Sequence, residues 1–243
     1  MYKNYIFDLY GTLIDINTDE SKLSFWKKVT SFINFNGANY QVKELKQKYE
    51  EFCALEKEKL MKKYDYEVYD IKIEKVFKQL YLYKNIKPSK QLVISTCQFF
   101  RIQSTKFLRL YDGVIDLLTS LKNKNKKIYL LSNAQFEFTY YEMIALDIVK
   151  YFDGILISSN VGCCKPDIHF YDKLFKKYHL KKNESIMIGN DSTSDIKGAN
   201  AFGIDSLYIY SDISPKDDNK NEINSTYKIM DGDFTKVKNL ILL

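Results

Sequence analysis

From Lys127 onward, short apolar runs alternate with stretches whose apolar residues recur at helical spacing. The runs are KIYLL at 127–131, GILIS at 154–158, SIMIG at 185–189 and SLYIY at 206–210. Each has the length and β-favouring content of a buried strand, and strands that alternate with helices predict a parallel sheet covered on both faces. A fifth run, Tyr5 to Phe7, lies far upstream, so the stretch between reads as an insertion. From about Asn17 to Lys106 the spacing is helical: Phe25, Val29, Phe32 and Ile33 fall on one face, and Val76, Phe77, Leu80 and Leu82 on another. Gly37 and Pro88 are the only strong breakers there, which predicts about four helices packed around a small core of their own. The expected division is a core of residues 1–16 and 107–243 and a helical domain of residues 17–106. Trp26, Phe25 and Tyr40 could line a pocket, although helical spacing more often means core. A polar loop is expected near Ser214 to Ser225, and no internal repeat is visible.

The 243 residues, 45% of them hydrophobic, suffice for one substantial domain carrying a large insertion. No apolar run approaches the roughly 18 residues of a membrane helix. Asp8 interrupts the N-terminal apolar stretch too early for a signal peptide. The expectation is a cytoplasmic chain without membrane association. Cys53 and Cys97 are scattered and Cys163 and Cys164 adjacent, with no zinc-ligand or disulfide-framework spacing. Lysine and arginine exceed aspartate and glutamate by 37 to 31, but the lysines come as doublets such as Lys62-Lys63 and Lys176-Lys177, as on a solvated helix surface. No basic stripe interleaved with aromatics points to nucleic acid. The mild positive field favours a small anionic substrate. Oligomeric state is not legible.

Candidate chemistry lies where the predicted strands end, the edge at which open α/β sheets hold ligands. In FDLYGTLID (7–15), Asp8 follows the first strand, Gly11 permits a sharp turn, and the Thr12 hydroxyl can bond a backbone or phosphate oxygen. Asp8 could also simply end the strand. In LLSN (130–133), Ser132 and Asn133 can donate to an oxyanion without adding charge, or can cap the next helix. Lys165 precedes Pro166, which fits the first turn of a helix with Phe170, Leu174, Phe175 and Tyr178 on its apolar face. An ammonium at that positive helix end suits an anion. In SIMIGNDSTSD (185–195), Asp191 and Asp195 stand four apart on a first helical turn, able to hold a hard cation or to cap the helix.

Singly these signals are weak, but their order, with all four at strand ends, is specific. Together they resemble the haloacid dehalogenase (HAD) superfamily of hydrolases, whose four motifs match at FDLYGTLID, LLSN, Lys165-Pro166 and IGNDSTSD. The resemblance covers nearly the whole chain, including a helical insertion after the first motif. It implies an α/β fold: a Rossmann-like three-layer α/β/α core with a parallel sheet, an inserted all-helical cap domain, and an active site between them. It implies Asp8 as a nucleophile that forms a covalent aspartyl intermediate. Thr12, Ser132 and Lys165 would bind the transferring phosphoryl group, with Asn133 shaping that site. In metal-dependent members it implies Mg2+ held by Asp8, the backbone carbonyl of Tyr10 and Asp191, with Asp195 supporting the ion or Lys165 from behind.

One position departs from the family pattern. Most phosphatases of the superfamily carry a second aspartate where this chain has Tyr10, to protonate the leaving oxygen and later activate water. A tyrosine, with an unperturbed pKa of about 10, is no simple substitute, and general acid and base help is worth roughly 100- to 10,000-fold. Metal-independent 2-haloacid dehalogenases also have tyrosine there. Their fourth motif is built on a single acid, and they hold the leaving halide with a cap arginine. Here Arg101 is near the insertion's end and Arg109 just beyond it, and neither is a convincing match. Asp8, Asp191 and Asp195 together would repel one another without a cation. The expected activity is that of a magnesium-dependent phosphatase of a small phosphorylated metabolite. A 2-haloacid dehalogenase and a non-catalytic phosphometabolite-binding protein are the alternatives.

Overall fold

The computed structural model describes residues 2–216 and 223–242, so half of the polar loop expected near Ser214 to Ser225 lies outside the described residues. The strands are β1 (Asn4–Phe7), β2 (Ile14–Thr18), β3 (Thr105–Leu110), β4 (Lys127–Ser132), β5 (Gly154–Ile157), β6 (Ser185–Gly189), β7 (Asp205–Ile209) and β8 (Tyr227–Ile229). Six of them form a parallel sheet in the order β5-β4-β1-β6-β7-β8. Successive strand residues point to opposite faces, and here both faces are covered. Tyr5, Phe7, Ile128, Leu130, Ile186 and Ile188 pack with α5 (Val114–Asn123) and α10 (Phe234–Leu242) on one side. Ile6, Leu131 and Met187 pack with α8 (Ile168–Tyr178) and α9 (Lys197–Phe202) on the other. The result is the three-layer α/β/α arrangement, which explains why β1, β4 and β6 read as unbroken apolar runs.

Between β2 and β3 the chain forms α1 (Leu23–Phe35), α2 (Val42–Lys63), α3 (Ile73–Tyr83) and α4 (Lys90–Ser104). These helices bury a separate aromatic core that includes Phe25, Trp26, Tyr40, Phe77 and Phe100. Leu82, expected on the buried face of α3, is 46% exposed, because the buried stripe runs through Ile73, Val76, Phe77, Leu80 and Tyr81. β2 and β3 pair antiparallel as a two-stranded ribbon, from Ile14↔Leu110 to Thr18↔Thr105. Residues 16 and 107, the expected boundaries, fall inside that ribbon, where Arg109 Nη2 lies 2.7 Å from Asp15 Oδ2.

Two expectations at element ends need correction. Pro166 is not in the first turn of α8. Asp167 is the N-cap, its carboxylate accepting the His169 amide at 2.8 Å, so the helix starts two residues beyond the proline. Ser158 ends no strand but opens a short helix, α7 (Ser158–Val161). Among the described residues no helix is long and apolar enough to cross a membrane.

Candidate active site

The C-terminal ends of the neighbouring strands β4, β1 and β6 carry Ser132, Asp8 and Asp191 to one edge of the sheet. Lys165 reaches that edge from the loop before α8. Its side chain is 1% exposed, and its Nζ lies 2.6 Å from Asp8 Oδ1 and 2.6 Å from Asp195 Oδ1. Asn133 secures this lysine by its main chain: Nδ2 donates to the Lys165 carbonyl at 2.9 Å, and Oδ1 accepts the Lys165 amide at 2.8 Å. The Ser132 hydroxyl is buried and has no hydrogen-bond partner among the described residues. Leaving it unpaired costs about 1–3 kcal/mol, and an oxyanion bound at this edge would supply the missing acceptor.

The first and fourth motifs lock together beneath Asp8. Gly11 has φ +82°, and a Cβ there would lie 2.2 Å from Asn190 Nδ2. Thr12 is fully buried and donates its hydroxyl to Asn190 Oδ1 at 3.2 Å, so it ties the two loops together. Asp195 folds over Gly189, where a Cβ would meet its Oδ2 at 2.1 Å, and it accepts the Asp191 amide at 3.1 Å. The segment Ser192–Ile196 is a π-helical turn in place of the α-helical turn expected. Asp191 caps it: its Oδ1 accepts from Thr193 N at 2.8 Å, Thr193 Oγ1 at 2.7 Å and Ser194 N at 3.1 Å. Burial works against the charge on Lys165, but Asp195 and Asp8 outweigh it and raise its pKa above the ordinary lysine value. Burial raises the Asp195 pKa, Lys165 draws it back, and Asp8 and Asp191 push it up again. Three carboxylates, Asp8, Asp191 and Asp195, thus lie near a single ammonium, and the crowding favours the protonated form of Asp195 more than in an ordinary aspartate.

Tyr10 is tied to α6 (Phe136–Ala145). Its hydroxyl donates to Glu142 Oε2 and lies 2.9 Å from Thr139 Oγ1. Glu142 Oε1 in turn sits 2.5 Å from Arg101 Nε, at the end of α4, and that guanidinium lies 5.4 Å from the Tyr10 ring centroid. Burial and then the Glu142 charge raise the Tyr10 pKa well above the ordinary phenol value, and Arg101 offsets only part of this. The phenol is neutral, with its proton committed to Glu142.

A family model for haloacid dehalogenase-like hydrolases matches residues 2–203. The chain belongs to that family. Among HAD-like relatives, pyrimidine 5'-nucleotidase PynA of Streptococcus pneumoniae is 26% identical over 217 residues, covering 85% of this chain and 83% of that protein. A glyceraldehyde 3-phosphate phosphatase of Methanothermobacter thermautotrophicus is 25% identical over 134 residues, a match that takes in 55% of this chain and 59% of that protein. The magnesium-bound crystal structure of the HAD-hydrolase YfnB from Bacillus subtilis has a TM-score of 0.57 at 17% identity, covering 100% of this chain and 99% of that one. At that identity the likeness shows the shared fold.

The donors of this HAD-like hydrolase fit a hard cation in kind. Asp8, the Tyr10 carbonyl and Asp191 offer oxygen donors, and magnesium typically takes about one or two carboxylates and completes its shell with water and substrate oxygen. Among the described residues no three His, Cys, Asp or Glu side chains are grouped to hold a metal ion, so a cation here would rely on main chain and water as well. Sequence reasoning missed Glu142, Thr139 and Asn190. Thr139 and Glu142 are three apart on one helix face, but nothing in their neighbourhood marks them as partners of a residue in the first motif.

Proposed function

We propose that this hydrolase is a magnesium-dependent phosphatase of a small phosphorylated metabolite. The observation that carries the proposal is the surplus of carboxylate, Asp8, Asp191 and Asp195 around the single Lys165 ammonium, which a divalent cation would offset. Halide displacement by Asp8 would need no such cation. The names of the two relatives, a nucleotidase and a phosphatase, support the same reading. So does the engagement of the chain's two arginines, Arg101 by Glu142 and Arg109 by Asp15.

In this reading an Asp8 carboxylate oxygen attacks phosphorus, and the bond to the leaving oxygen breaks with its electron pair departing on the leaving group. Lys165 and the Ser132 hydroxyl hold the non-bridging oxygens. Magnesium at Asp8, the Tyr10 carbonyl and Asp191 would supply further charge neutralisation. Water then attacks phosphorus, phosphate leaves and Asp8 is restored. Neither step has a proton donor or acceptor at position 10, because the Tyr10 hydroxyl is committed to Glu142. Acyl and aryl phosphates, whose leaving groups depart as stable anions, should therefore turn over faster than alkyl phosphates, with the phosphoaspartyl form accumulating.

The test is hydrolysis of an aryl phosphate with magnesium and with chelator, alongside Asp8→Asn. Magnesium-dependent turnover that the variant lacks supports the proposal, and inactivity of all samples sinks it. The same committed hydroxyl favours a second reading as a metal-independent 2-haloacid dehalogenase, since halide leaves without a proton. That reading requires halide release from a short 2-haloacid in the presence of chelator.

A further inference from the structure

Resting on the phosphatase reading, we infer that Asp70, carried by the helical insertion, is a positioning residue for the phosphoryl site, holding the loop from Ser132 to Gln135 through Ser158 and Gln135. Asp70 lies in the connector between α2 and α3. Its Oδ1 accepts Gln135 Nε2 at 2.8 Å, and its Oδ2 accepts the Ser158 hydroxyl. That hydroxyl also accepts the Ala134 amide at 2.8 Å, so the loop's main chain hangs on a group that Asp70 orients. Gln135 returns the contact, its Oε1 accepting the Ile73 amide at 2.9 Å.

The same connector grips the lysine loop. The Asp70 amide donates to the Gly162 carbonyl at 3.2 Å, the Cys164 amide donates to the Val68 carbonyl at 3.2 Å, and the Glu67 amide donates to Asp167 Oδ2 at 2.7 Å. Asn133 then joins the two gripped loops by its double bond to the Lys165 main chain. Seating the connector on the core thus sets Ser132 and Lys165 relative to Asp8. A half-buried carboxylate with two donors is a precise anchor, and losing it frees both donors at once.

Burial raises the Asp70 pKa to about 6, with Ser158 and Gln135 drawing it down. Glu74 on α3 pushes it up, and the Cys163 and Cys164 thiols face it from the lysine loop, while α7 and the Gln135 loop meet it with uncharged groups.

The experiment compares Asp70→Ala and Asp70→Asn with the wild-type protein in aryl phosphate hydrolysis and in amide hydrogen exchange across residues 132–136. Asparagine can still accept from Gln135 and can donate to Ser158. Asp70→Ala is expected to lower kcat on the order of tenfold or more, with a smaller change in KM, as misplacement of reacting groups does. It should also speed exchange at the Ala134 amide. Asp70→Asn should restore most of kcat and the wild-type exchange rate at Ala134, because it keeps both side-chain contacts. An unchanged kcat or unchanged Ala134 exchange in a folded Asp70→Ala protein overturns the inference. Absence of aryl phosphate hydrolysis in the wild-type protein would sink the phosphatase reading instead, and the exchange arm would then decide the inference alone.

Discussion

The Tyr10 hydroxyl donates to Glu142, and Arg101 holds Glu142 from its other side. Removing that hydroxyl leaves a buried carboxylate one donor short without touching Asp8, Lys165 or Ser132. Tyr10→Phe should therefore cost about 1–3 kcal/mol of stability, measured by denaturant unfolding, and leave kcat on an aryl phosphate within about twofold. A collapse of kcat in a folded Phe variant would show the hydroxyl taking part in the chemistry. Tyr10→Asp should raise turnover of alkyl phosphates, because it returns an acid to this position; an unchanged rate would count against the missing-acid argument. Asp70 gives a signed pH effect. Its folded pKa, about 6, lies above the ordinary value of 3.8, so its contribution to stability is fully present at low pH and is lost as the pH rises through about 6. Asp70→Asn should then raise the melting temperature at pH 8 by a margin that shrinks toward pH 4, and a margin that does not depend on pH would refute the assignment. At this scale the sequence told which polar residues gather at strand ends, but not what each one faces. The Thr12 hydroxyl and the Asn133 amide could equally have met a ligand; both are spent on protein, on Asn190 and on the Lys165 main chain.

Elements were legible in proportion to their burial. β1, β4 and β6 are covered on both faces and stand out as apolar runs, and the stripes of α1 and α3 follow from their own aromatic core. The ribbon was not legible, because IDINT and TKFLRL are short and half polar and owe their pairing to each other across the whole insertion. β8, three residues of YKI, carries too little pattern to be read. At the π turn Asp191 reaches forward to the Thr193 and Ser194 amides and Asp195 reaches back to the Asp191 amide, an arrangement that spacing alone does not reveal. Gly11 was legible as a turn, but its second constraint, the Asn190 side chain against it, was not. Gly11→Ala meets both the φ of +82° and that contact, so a loss on the order of 2–4 kcal/mol is expected. Pairing it with Asn190→Ala separates the two causes. Partial recovery in the double variant assigns the cost to the clash, whereas none assigns it to the backbone and to the lost Thr12 bond.

Across the whole molecule, the insertion is fastened to the core at two separated places, by Arg101 to Glu142 beside the ribbon and by the Asp70 connector on the lysine loop. The edge between them gathers Asp8, Asp191 and Asp195 around one ammonium, so a cation that binds there only in the folded chain should stabilise all of it by mass action. At about 100 times its dissociation constant such a ligand contributes about 2.7 kcal/mol, worth roughly 5–10 °C in melting temperature for a chain of this size. Magnesium should produce that shift in the absence of any substrate, which makes it a readout independent of turnover. Asp191→Asn is the decisive control. An asparagine oxygen can still cap the π turn by accepting from Thr193 and Ser194, so the melting temperature in chelator should barely move, but the charge is gone and the magnesium shift should largely vanish. A shift that survives in Asp191→Asn would place the cation elsewhere. If magnesium does not move the wild-type melting temperature, Asp191 serves only as a helix cap, and the dehalogenase reading gains the ground that the phosphatase loses.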